Sequence, residues 1–116
     1  MAYIPKRGDI IHLDFNPSSG KEMKGEHFAL VVSPQLFNSS GLAMLCPISQ
    51  GPAETARSEG FLVSLMGTGT DTQGNVHCHQ LKSLDWKKRA AAYKERVPES
   101  LSDEVDSVLE AILFDH

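Results

Sequence analysis

The residues of this chain best suited to acid–base chemistry are histidines, and two of them are spaced by two: His77 and His79, within Val76-His77-Cys78-His79-Gln80. Read as a short strand, this stretch has a side-chain period of two, so both imidazoles share one face and Val76, Cys78 and Gln80 take the other. Rings about 6–7 Å apart on one face can form an acid–base pair, half of a metal site, or an incidental surface pair. The residue types alone leave all three open.

The elements that must position them are short. Ile10 to Phe15 alternates as a strand, with Leu13 and Phe15 inward, Asp14 outward and His12 at the surface. Asn16-Pro17-Ser18-Ser19-Gly20 ends that strand. Lys21-Glu22-Met23-Lys24-Gly25-Glu26 then reads as an exposed, mobile polar loop, a usual place for binding residues. Phe28 to Ser33 is nearly all apolar and rich in β-formers, which predicts a central strand buried on both faces. Leu42 to Cys46 predicts a second buried strand, closed by Pro47. A loop of small and polar residues runs from Gly51 to Gly60, and Phe61 to Leu65 is a further strand. Gly67 to Gly74 is a hairpin-like connection. Trp86 to Tyr93 is ambiguous between helix and strand, since its alanines favour a helix but the segment is short. At the C-terminus Leu101, Val105, Val108, Leu109, Ile112 and Leu113 recur at helical spacing, with Ser100 or Ser102 as the expected cap and acids in the first turns. The composite is a mainly β fold: a small, SH3-like antiparallel barrel or sheet with one C-terminal helix, in a single domain over residues 1–116.

Composition narrows the class. With 116 residues, 41% hydrophobic and 22% charged, the chain suits one domain with a real core. No apolar run is long enough to cross a bilayer, and Met1 to Lys6 lacks the apolar core of a signal peptide, so a cytoplasmic setting is expected. Cys46 and Cys78 lie in apolar stretches and read as reduced buried thiols rather than a disulfide. The net charge of −4 is unevenly spread. Residues 101–116 contain acids but no Lys or Arg, while Lys82, Lys87, Lys88, Arg89, Lys94 and Arg96 cluster just before them. Charge is screened over about 8 Å at physiological salt, so such a stripe can hold phosphates on an acidic protein; a solvated mixed-charge face is the alternative.

Several stretches together resemble the MazF/PemK (Kid) toxins, nearest to the PemK/Kid branch. They are Arg7-Gly8-Asp9-Ile10, Asp14-Phe15-Asn16-Pro17, Gly20-Lys21-Glu22 and Ala29-Leu30-Val31-Val32-Ser33-Pro34. Pro47-Ile48-Ser49-Gln50-Gly51, Ala56-Arg57-Ser58-Glu59-Gly60-Phe61, Val76 to Gln80 and Glu95-Arg96-Val97-Pro98-Glu99 continue the likeness over nearly the whole chain. The resemblance implies the fold of the MazF/Kid/CcdB type. It also implies a sequence-specific endoribonuclease that cuts single-stranded mRNA without a metal or other cofactor, leaving a 2′,3′-cyclic phosphate and a 5′-hydroxyl. Homodimerisation, and inhibition by the disordered C-terminal tail of a cognate MazE/PemI-like antitoxin, are implied with it.

The same resemblance places a site. The family usually has an Arg where His27 stands, a Thr or Ser where Ser49 stands, and, in the PemK/Kid branch, an Arg and an Asp where His77 and His79 stand. The implied catalytic set is His27, Ser49, His77 and His79, with Lys21, Glu22, Lys24, Gln80, Lys82 and Lys87 as RNA-binding candidates. Histidine replaces the family's residues at three of these positions. An imidazole lacks the fixed charge and fork of Arg, yet its pKa of about 6.5 suits an acid or base at neutral pH. A metal reading would use His27, His77 and His79 as an open site, but no Cys-x-x-Cys or His-Glu-x-x-His spacing accompanies them. A catalytically weak or inactive relative that still dimerises and binds its antitoxin is the alternative function. A gyrase poison of the CcdB kind is disfavoured, because such action depends on a terminal Trp and this chain ends Leu113-Phe114-Asp115-His116.

Overall fold

The computed structural model describes residues 2–50 and 60–114. Its elements are β1 (Asp9–Asp14), β2 (Glu26–Val31), a short α1 (Gln35–Asn38), β3 (Leu42–Ser49), β4 (Leu62–Ser64), β5 (Asn75–His77), a 3-10 turn (Cys78–Gln80), β6 (Lys82–Asp85), β7 (Ala92–Arg96) and α2 (Glu99–Phe114). The strands form one antiparallel sheet in the order β4-β5-β3-β2-β1-β7, with β6 also paired to β3. A mainly β fold with one long C-terminal helix is therefore present, as expected from the alternation of apolar runs and turn residues.

Two cores lie on the two sides of β1–β3. Alternate residues Ile10, Leu30, Cys46 and Ile48 face α2, which contributes Leu101, Val105 and Leu109. The intervening residues Ile11, Leu13, Ala29, Val31 and Leu45 meet Phe15 and Leu84 on the other side. Both faces are apolar because both are covered, which is why Ala29-Leu30-Val31 lacks a polar alternation. Leu109 is the last buried position of the helical stripe, and Ile112 and Leu113 are exposed. Cys46 and Cys78 are buried free thiols in the helix-side core.

Several expectations need correction. Pro47 does not close its strand; β3 continues to Ser49, with Pro47 paired to Ala29. On its other side β3 pairs β6 only through Leu42–Leu45 and β5 only at Ile48–Ser49. Proline thus sits where the strand changes partner and no ladder needs its missing N–H. Helix α2 begins at Glu99, so Ser100 and Ser102 lie inside it and cap nothing; Pro98 precedes it, where its fixed φ suits a helix start. Trp86 to Tyr93 divides into a tight turn, with Ala90 at φ +52°, and the start of β7, because β1 has a free edge that Ala92 and Tyr93 pair. The opening stretch is a strand only to His77 and then turns as a 3-10 segment. Expectations for the Gly51–Glu59 loop, Asp115 and His116 lie outside the described residues.

Candidate active site

Three ladders bring the site together. Leu13 pairs His27 across β1–β2, Phe28 pairs Ile48 across β2–β3, and Ser49 pairs Asn75 across β3–β5. His27 and Ser49 therefore sit one step beyond Phe28 and Ile48 on neighbouring strands. They line one cleft of about 360 Å³, shared with His12, Glu26, Gln50, Lys94 and the turn residues Asp71, Thr72 and Gln73. This turn is held by Glu95, whose carboxylate accepts from the Asp71 and Thr72 amides (3.0 and 2.8 Å) and from Thr72 Oγ1 (2.6 Å). These bonds hold the Glu95 pKa below the usual carboxylate value against the opposing effect of burial. Gly74 then passes so close to β3 that a Cβ there would lie 2.6 Å from the Ser49 carbonyl oxygen, and its φ of +116° also favours glycine.

His77 and His79 do share a side, but strand alternation is not the cause. His77 ends β5 opposite Leu62, and the 3-10 turn brings the His79 ring to 5.5 Å from it, tilted by 34°. The His79 ring is also stacked on Phe61 at 5.5 Å. His79 is exposed whereas His77 is only 7% exposed, and neither ring nitrogen of His77 has a hydrogen-bond partner among the described residues. Its pKa is pushed below the ordinary imidazole value, first by burial and then by the charges of His79 and His27. His77 is therefore neutral at pH 7, and His27 is near enough to influence it.

The polar loop after β1 is exposed, as expected, and is bonded at both its base and its tip. At its base Asn16 Oδ1 accepts from the Gly25 amide (3.1 Å), and Arg89 donates to the Asp14 and Asn16 carbonyls (both 2.8 Å). At its tip Gln80 Oε1 accepts from the Met23 amide (2.6 Å), Gln80 Nε2 donates to the Lys21 carbonyl (3.2 Å), and Lys82 pairs with Glu22 (3.0 Å). The Lys82 bond is the first cause of the lowered Glu22 pKa. The loop also holds His27: Nε2 lies 2.8 Å from the Lys24 carbonyl. A carbonyl can only accept, so Nε2 carries the proton and Nδ1 of the neutral ring holds the lone pair.

A second cleft, of about 520 Å³, is lined by His79 together with Ser19, Lys21, Glu22, Gln80, Leu81 and Lys82. Of the expected RNA-binding residues, Lys21, Glu22, Gln80 and Lys82 thus surround His79. Lys24 and Lys87 line neither cleft, and Lys87 lies over the Trp86 ring. The basic cluster of residues 82–96 is not one stripe. Arg89 is committed to the loop base and Arg96 to Asp9 (2.9 Å), because the turn and β7 send these side chains in different directions. Phe61 and the Asp71–Gln73 wall carry no sequence signal of a site, Lys94 enters from the expected basic cluster, and His12, expected at the surface, is half-buried in the cleft wall. Only the register could show that. No three His, Cys, Asp or Glu side chains among the described residues gather as a metal-binding set.

Comparison with known proteins follows this geometry. Residues 6–113 match the family described as PemK-like, MazF-like toxin of type II toxin-antitoxin system. The chain is 38% identical over 109 residues to Endoribonuclease PemK of Escherichia coli, covering 93% of this chain and 81% of that one. The crystal structure of MazF from Deinococcus radiodurans (Form-I) superposes with a TM-score of 0.85 at 32% identity, covering 97% and 98% of the two chains. A MazE-MazF structure from the same organism (Form-III) gives 0.80 at 30% identity, covering 96% and 97%. A family match over almost the whole chain, with the histidine clefts inside it, shows that this chain belongs to the PemK-like, MazF-like toxins of type II toxin–antitoxin systems.

Proposed function

We propose that the protein is a metal-independent, sequence-specific endoribonuclease toxin that cuts single-stranded mRNA and so arrests translation and growth. The observation that carries this reading is the pairing of His27 with Ser49 in one cleft, and of the His77 and His79 rings at 5.5 Å, by strands and turns remote in sequence. Cleavage by a ribose 2′-hydroxyl needs a base, an acid and donors for the phosphorane charge. His27 is the proposed base: the Lys24 carbonyl holds its Nε2 proton and leaves Nδ1 to accept the hydroxyl proton. His79, exposed and stacked on Phe61, is the proposed acid that protonates the leaving 5′-oxygen. A protonated ring gains from an aromatic face, and the neutral state of His77 spares it a neighbouring like charge. The Ser49 hydroxyl donates to a phosphate oxygen. The products are a 2′,3′-cyclic phosphate and a 5′-hydroxyl, which balance without an added oxidant or metal.

Lys21 and Lys82 line the His79 cleft and supply the proposed phosphate contacts; Lys24 and Lys87, which lie outside both clefts, are proposed RNA contacts on the expectation from the sequence alone. A homodimer and a cognate antitoxin, engaging through a disordered tail, complete the proposal; the exposed Ile112, Leu113 and Phe114 of α2 offer apolar surface for assembly. The test is incubation of the protein with single-stranded RNA in EDTA, followed by mapping of the ends. Reproducible sites with cyclic-phosphate ends support the proposal. Intact RNA from about pH 5 to 9 would sink it in favour of an inactive, antitoxin-binding relative, and a bell-shaped rate profile is the expected signature of two titrating histidines.

A further inference from the structure

The fold leaves one connection that the proposed mechanism does not use. Gln80 follows His79 directly and closes the 3-10 turn. Both ends of its amide are spent on the main chain of a loop 57 residues away, Oε1 on the Met23 amide and Nε2 on the Lys21 carbonyl. Two bonds from one planar amide fix position and orientation together, as a strand partner would. Lys24 follows Met23 directly, and its carbonyl accepts from Nε2 of the His27 ring. A continuous path thus runs from the backbone of His79, through the Gln80 side chain and residues 21–24, to the imidazole of His27. The parallel tie, Lys82 to Glu22, is an exposed ion pair and contributes little by itself.

We infer that Gln80 is a positioning residue that sets His27 and the His77–His79 turn in register through the loop of residues 21–24. The inference rests on the nuclease reading for its catalytic consequence but not for its structural one. The clamp seats the Lys24 carbonyl, the seated carbonyl selects the Nε2–H tautomer of His27, and that tautomer directs the Nδ1 lone pair towards the cleft. Gln80 contacts no reacting atom. Loss of the clamp removes none of the four site side chains but frees the His27 tautomer and the spacing between the two halves.

Two readouts test this. In RNA-free protein labelled with nitrogen-15, the His27 ring signals at a pH where the ring is neutral report its tautomer. The wild type should show Nε2–H, and Gln80→Ala should give a mixture. In cleavage assays the same variant should lose on the order of 10- to 100-fold in kcat, as expected of a misplaced reacting group, with the RNA Kd little changed. Gln80→Glu keeps the acceptor for Met23 and removes the donor for Lys21, so it should fall between, and it carries the test if Gln80→Ala does not fold. An unchanged His27 tautomer in the variants overturns the inference. A loss confined to Kd overturns it too, and makes Gln80 a direct RNA contact. If the wild type cuts no RNA while the tautomer still responds, the nuclease reading fails and the clamp stands.

Discussion

Cys78 and His77 are neighbours in sequence and almost equally buried, yet they face opposite surroundings. The Cys78 thiol packs with Leu101, Val105 and Val76 in the core under α2, where a small, weakly polar group costs little. The His77 imidazole faces the other side with both nitrogens unpartnered among the described residues. A buried polar group without a partner costs roughly 1–3 kcal/mol, so the fold gains nothing from having histidine there. Burial in the first case serves stability. In the second it lowers the pKa of an imidazole that two others influence, which is what the proposed chemistry would use.

That contrast can be broken by substitution. The largest effect is expected at His79: His79→Ala should lower RNA cleavage by about 10²- to 10⁴-fold, the usual contribution of an acid or base, with the melting temperature nearly unchanged. A parallel loss of fold would remove His79 from the catalytic set. Next comes Gly74→Ala, whose added methyl meets the Ser49 carbonyl at 2.6 Å. It should destabilise by about 1–3 kcal/mol, the scale of overpacking, in urea titrations. It should also reduce cleavage by the molecules that remain folded, because relief requires β3 to shift at Ser49.

The neighbouring pair should respond oppositely to polarity. Cys78→Ser places a hydroxyl in the apolar core and should cost about 1–3 kcal/mol. His77→Leu removes two unpartnered nitrogens and should be neutral or stabilising in the same titration, while lowering cleavage less than His79→Ala does. Equal destabilisation by both would erase the distinction between the two sides. The smallest effect is in pH. A histidine whose folded pKa is depressed binds fewer protons folded than unfolded below about pH 6.5, so stability falls as pH drops through that value towards the lowered folded pKa. The part of this slope due to His77 should vanish in His77→Leu, as read from the melting temperature between about pH 5 and 7.

Much of this molecule is legible in the residues alone. Apolar runs bounded by Pro, Gly and Asn mark β1, β2 and β3, because both faces of these strands are covered. The four-residue and three-residue spacing from Leu101 to Leu109 marks the buried stripe of α2. The residues that can do acid–base chemistry, and their likeness to a known toxin family, are also visible without coordinates. Boundaries set by long-range pairing are not. Pro47 sits inside β3 because the strand changes partners there, and Ala92 joins a strand because β1 has a vacant edge. Local propensity carries neither fact.

The chain by itself determined that histidines, a serine and lysines are available to the proposed site, since side-chain identity is local. Only the tertiary structure decided how they are arranged. It turned the chain after His77 so that β6 could return to β3, which brings two rings together by a 3-10 turn. It also clamped an apparently free loop to Gln80, and through Lys24 assigned the proton of His27. The His77 pKa responds to His27, 50 residues away, and the loop that carries Met23 is bonded to Gln80 across 57 residues, so no local pattern could encode them.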